Sequence, residues 1–121
     1  MLQNYKLFLV IKDKLVCAFD IEIKTWDINT GQLKNILKGH TINDIKKLSE
    51  NLIVSASLDR SLRIWNINTG KGEAILNGHL GDIGCIKILP DGQIASGCED
   101  TTIIIWKNNS FYVVINLQSQ L

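Results

Sequence analysis

The sequence predicts an all-β chain of three similar four-stranded antiparallel sheets, and three observations predict it. A six-residue phrase occurs twice, as Trp26-Asp27-Ile28-Asn29-Thr30-Gly31 and Trp65-Asn66-Ile67-Asn68-Thr69-Gly70, closed each time by Gly-His at Gly39-His40 and Gly78-His79. Trp65 follows Trp26 by 39 positions, His79 follows His40 by 39, and Trp106 marks a third copy 41 positions after Trp65. The apolar segments are short and separated by turn residues, and no capped run of apolar residues at helical spacing is present.

The third copy reads most clearly. Ile83 to Leu89 is an apolar segment that Pro90-Asp91-Gly92 turns back, and Asp-Gly between two apolar runs is a strong hairpin signal. Ile94 to Cys98 is a second strand, Glu99-Asp100 a turn, and Thr102 to Trp106 a third strand dense in β-branched residues. Phe111 to Ile115 is the fourth, after a turn at Lys107 to Ser110. The middle copy gives Ile45 to Leu48, Leu52 to Ser57, Ser61 to Trp65 and Glu73 to Leu76; the first gives Leu7 to Ile11, Leu15 to Phe19, Ile21 to Trp26 and Leu33 to Leu37. An Asp precedes the Trp by six residues in each copy: Asp20, Asp59 and Asp100.

Self-similarity at about 40 residues with Gly-His and Trp-Asp pairs resembles the WD40 repeat family, whose repeats are blades of a β-propeller. The resemblance runs from about Tyr5 to Ile115 and divides the chain into blade one at about 5–38, blade two at 39–77 and blade three at 78–116. It implies a hydrogen-bonded tetrad in each complete blade, from His40, Ser55, Asp59 and Trp65 in the second and His79, Ser96, Asp100 and Trp106 in the third. A buried indole N–H needs an acceptor and a buried carboxylate needs donors, so imidazole and hydroxyl can link them. The first blade has no preceding Gly-His, and Val16 stands at the offset of Ser55 and Ser96, so no tetrad is expected there. Two length differences are also expected. The loop after His40 reads as one residue longer than that after His79, with Ile45 matching Ile83, and the turn after Leu48 reads as shorter than the one at Pro90.

Composition bounds the function. With 121 residues, 45% hydrophobic and 21% charged, the chain suits a folded core; a net charge of +1 gives no field that would draw it to nucleic acid or an anionic membrane. No apolar run approaches the roughly 20 residues of a spanning helix, and the start carries no secretory signal pattern. Cys17, Cys85 and Cys98 form no CxxC pair and read as reduced, buried thiols of an intracellular protein, expected in the cytoplasm with the nucleus as the alternative.

His, Ser and Asp within one tetrad imply structure rather than a hydrolase triad, and His40 and His79 fall on different blades, so no catalytic residue, metal site or cofactor is expected. The resemblance implies a non-catalytic scaffold that binds other proteins on its loop-bearing top face, at Ile42, Asn43, Leu58, Gly81 and Glu99. Arg60 and Arg63 read as rim charges. A substrate-recognition part of a ubiquitin ligase complex, which would need a further recruiting module, and a non-functional remnant are the alternatives.

Propellers usually close with four to eight blades, so three form an incomplete propeller. The strands fall in whole sets of four, with no spare strand at either end. Three arrangements remain open: a fragment of a longer propeller, a homodimer completing a six-bladed ring, or a piece that completes another protein's arc.

Overall fold

The structure, a computed structural model, describes residues 7–39, 41–108 and 112–118. Twelve strands occur among them, in three meanders of four. The first sheet holds β1 (Leu7–Ile11), β2 (Lys14–Phe19), β3 (Glu22–Asp27) and β4 (Leu33–Lys38). The second holds β5 (Ile42–Lys47), β6 (Leu52–Ser57), β7 (Ser61–Asn66) and β8 (Lys71–Asn77), and the third β9 (Ile83–Ile88), β10 (Ile94–Cys98), β11 (Thr102–Trp106) and β12 (Tyr112–Asn116). Strand order within each sheet follows the chain, and all pairs are antiparallel.

The repeated phrase is a turn with a specific chemistry. Asp27 Oδ1 accepts the amides of Asn29 and Thr30 at 2.8 and 3.1 Å, and Gly31 N–H bonds Asp27 O at 2.8 Å. Asn66 does the same, with Oδ1 accepting Asn68 and Thr69 N–H at 2.9 and 3.1 Å. Only one side-chain oxygen is used, so Trp-Asn replaces Trp-Asp without changing the turn. Gly31 and Gly70 end it at φ of 74° and 76°, where a side chain would be strained.

The sheets pack face to face through two apolar interfaces. Ile11, Val16, Ala18, Ile23 and Leu37 of the first meet Ile42, Ile45, Ile53, Trp65 and Ile67 of the second. Val54, Ala56, Leu62, Ile64 and Leu76 of the second meet Ile83, Ile86, Ile94, Ile104 and Trp106 of the third. β6 lies in the middle sheet between the two interfaces and is buried on both faces, with Ile53 in the first interface and Val54 and Ala56 in the second.

Several expectations are corrected. β5 begins at Ile42, earlier than Ile45, because a bulge between Ile42 and Asp44 lets the polar pair Asn43-Asp44 remain in a strand. Ile45 pairs with Ser55 and Ile86 with Ser96, so Ile45 corresponds to Ile86 and Ile42 to Ile83. Only Thr41 lies between position 40 and β5, against Leu80, Gly81 and Asp82 between His79 and β9, so the loop after His79 is the longer one. The turn after Leu48 is not shorter: Leu48 N–H reaches Leu52 O at 2.9 Å and Leu89 N–H reaches Gln93 O at 2.8 Å, closing spans of equal length.

A further correction concerns blade one. Trp65 pairs with Ile53 and Trp106 with Ile94, whereas Trp26 pairs with Leu15. Counting two residues onward gives Ser55, Ser96 and Cys17, so Cys17 and not Val16 holds the serine position. The cause is the β2–β3 turn, where Phe19 pairs with Glu22 and only Asp20 and Ile21 lie between them. In the second blade Leu58, Asp59 and Arg60 separate Ser57 from Ser61. With one residue fewer in the turn, each β2 residue lies one position, and so one face, away from where counting back from Trp26 places it.

Last, the cysteines do not share one environment. Cys17 is buried, Cys98 half-buried and Cys85 exposed.

Candidate protein-binding surface and the network beneath it

The turns β2–β3, β6–β7 and β10–β11 emerge at one end of the sheets, together with the loops leading into β5 and β9. In the third blade a chain of side-chain bonds supports that end. Trp106 Nε1–H donates to Ser96 Oγ at 2.9 Å, and Ser96 Oγ lies 2.6 Å from His79 Nε2. Ser96 and Trp106 are fully covered and His79 is 6% exposed. The indole needs Gly78 beside it, since a Cβ there would stand 3.1 Å from Trp106 Cη2 and 2.9 Å from Tyr112 Cζ. That close approach gives the Gly-His pair a packing reason.

The fourth member is held differently from the expected chain. Asp100 accepts Thr102 Oγ1–H at 2.5 Å and Thr102 N–H at 3.0 Å. Bonds from the Thr102 hydroxyl, then from Cys98 and the amides of Thr102 and Leu80, hold its carboxyl down at about 2 against the opposing effect of burial. Its negative charge acts on His79, but His79 Nδ1 is buried without a hydrogen-bond partner among the described residues. Burial lowers the His79 pKa and Asp100 opposes that shift. Cys98 completes the cluster, its thiol pushed up by burial. A ring nitrogen of His79, Cys98 Sγ and an Asp100 oxygen lie within 4.8 Å of one another, a potential ligand set whose carboxylate is already committed to the donors just named.

The second blade repeats the serine link, with Trp65 Nε1–H donating to Ser55 Oγ at 2.9 Å. Asp59 accepts Ser61 N–H at 3.1 Å and Ser61 Oγ–H at 2.6 Å, and Arg63 stands 3.7 Å from it. His40 lies outside the described residues.

The top-surface residues divide. Leu58 is 46% exposed and Glu99 is exposed, each at a turn tip whose amide is pinned to the neighbouring loop, Leu58 N–H to Thr41 O at 3.3 Å and Glu99 N–H to Asp82 O at 3.1 Å. Ile42 is corrected: it is 7% exposed and packs in the first interface, so it offers no side chain to a partner. Asn43 is half-buried and donates Nδ2–H to Ile83 O at 2.9 Å, while the next residue, Asp44, accepts Ile86 N–H at 2.9 Å. These two tie the second blade to the third. Gly81 is half-buried over Cys98 Sγ.

Leu80 was not anticipated. Its amide bonds Asp100 and its side chain is 79% exposed. The available signal was its position: an apolar residue directly after the Gly-His pair and outside any strand.

Known proteins carry the same repeats. The family profile described as WD domain, G-beta repeat matches residues 31–66 and 70–107, more than half of the chain. The chain belongs to the WD40 repeat family. WD40 domains generally mediate protein interactions and are typically non-catalytic. Among solved structures, the WD40 beta propeller domain of Doa1 is similar at a TM-score of 0.78 and 28% identity over 94% of this chain and 40% of that one. The computationally designed Ika4 protein matches at 0.76 and 31% identity, over 85% of this chain and 65% of that one. The designed Ika8 protein matches at 0.71 and 32%, over 82% and 31%. This WD40 chain thus spans less than two thirds of each, and is a partial propeller of three blades. A search of curated protein sequences found no match. No helix among the described residues is long and apolar enough to cross a membrane.

Proposed function

We propose that this chain is a non-catalytic protein-binding platform, working inside the cell, whose contact surface is the top end of blades two and three. The observation that carries the reading is the pair Leu58 and Leu80, 46% and 79% exposed on backbones pinned by hydrogen bonds to Thr41 and Asp100. Apolar side chains on preorganised loops lose little entropy when a partner covers them. Glu99 and Arg60 flank them as polar rim. Such a surface suits a protein segment with an apolar anchor.

The reading is tested by affinity capture with the wild-type chain, Leu58→Asp, Leu80→Asp and a rim variant, Ile75→Asp. Partners held by the wild type and the rim variant but released by both top variants are expected. Partners retained by the top variants and released by Ile75→Asp would move the binding site to the rim.

A further inference from the structure

We infer that the two end faces of the arc bind each other, so that two copies of the chain close head to tail into one ring. The inference uses other residues than the top surface and goes beyond that reading.

Strand register makes the argument, because directly paired residues lie on one face. The first interface is built from the row Ala18, Ile23, Leu37, and the second from the row Ala56, Leu62, Leu76. In the third blade the same row is Gly97, Ile103, Ile115, on the face that no other sheet among the described residues covers. A small residue followed by two branched apolar ones recurs in every copy. Leu37 and Leu76 are 1% and 2% exposed, whereas Ile115 is 39% exposed.

The receiving faces repeat in the same way. Ile45, Ile53 and Trp65 receive the first row, and Ile86, Ile94 and Trp106 the second. Their counterparts in blade one are Phe8 opposite Cys17 and Leu15 opposite Trp26. Ile28 stands two residues after Trp26 as Ile67 stands two after Trp65. Ile45 and Ile67 are 4% and 0% exposed, but Phe8 and Ile28 are 59% and 50% exposed. Lys24 sits opposite Cys17 as Arg63 sits opposite Ser55, and Arg63 is largely covered beside Asp59, so a cation in this row is compatible with packing.

One chain therefore carries an inserting face at one end and its receiving face at the other. A partner offering a single face would cover one end only. A second copy covers both at once, through one head-to-tail contact used twice, and six sheets fall within the range at which propellers close.

Light scattering coupled to size exclusion tests this with the full chain. The expected mass is twice 13.6 kDa for the wild type, and 13.6 kDa for Phe8→Asp and for Ile115→Asp. Both positions are exposed in the single chain, so each variant should keep the wild-type circular dichroism. Phe8→Asp retains the inserting face and Ile115→Asp the receiving face, so mixing them at raised concentration should restore a species of twice 13.6 kDa through one intact contact. Leu80→Asp should leave the wild-type mass unchanged, which separates this inference from the binding role of the top surface. A folded wild-type monomer, a variant that stays dimeric, a mixture that stays monomeric, or a ladder of larger masses would each overturn closure by two copies.

Discussion

Trp106 meets Ser96 at the same 2.9 Å at which Trp65 meets Ser55. The two blades share this link although the loops above them differ in length. In the third blade the one hydroxyl serves two buried neighbours, the indole N–H and His79 Nε2.

Ser96→Ala should therefore cost more than the loss of one ordinary hydrogen bond. It strands two buried polar groups at once, and about 2–4 kcal/mol is expected. Urea unfolding monitored by tryptophan fluorescence measures it. A loss within experimental error would mean that water replaces the hydroxyl.

His79 sets an acid-side dependence. Burial lowers its folded pKa below the ordinary value of 6.5, so the unfolded chain takes up the proton first. Its contribution is complete above 6.5 and is lost as pH falls below that value toward the folded pKa. The urea midpoint should fall over this window, and His79→Gln should remove that part of the slope. A second loss is expected lower, from the ordinary carboxylate range down toward about 2, as Asp100 protonates. An unchanged slope in His79→Gln would assign the first window to another group.

Cysteine labelling reports the end face. Cys85 pairs with Gly97, in the row that continues to Ile103 and Ile115, and is exposed in the single chain. A maleimide should modify it quickly in the monomeric Ile115→Asp variant and slowly in the wild type at assembling concentrations. Cys17, buried and with its pKa raised by burial, should react last in both. Equal Cys85 rates would contradict cover on that face.

Much of this was legible in the sequence because the chain repeats. Leu7–Ile11, Leu52–Ser57, Ile94–Cys98 and Thr102–Trp106 have the predicted bounds, since Asp-containing turns and β-branched runs delimit them. What was missed turned on single residues. Asp20 keeps its offset to Trp26, so counting could not reveal that the residue lost from the turn comes from the β2 side, and only pairing moves Cys17 into the serine position. The link from Asp44 to Ile86 left no trace either, because the residue matching Asp44 in the third blade is Cys85 and the side chain recurs nowhere. Ile42 was misplaced because a bulge, invisible in a polar run, begins its strand early.

The central claim is the orientation of blade one, from which both the covered first interface and the outward Trp26 face follow. Serine substitutions at two adjacent positions test it most directly. Val16 packs in the first interface at 0% exposure, so Val16→Ser should destabilise the chain by about 2–3 kcal/mol, having lost apolar burial and gained a buried hydroxyl. Cys17→Ser places a hydroxyl where Ser55 and Ser96 accept an indole N–H, and should cost no more than about 1 kcal/mol. The reverse order, with Val16→Ser tolerated and Cys17→Ser strongly destabilising, would put Val16 at the serine position and contradict the account.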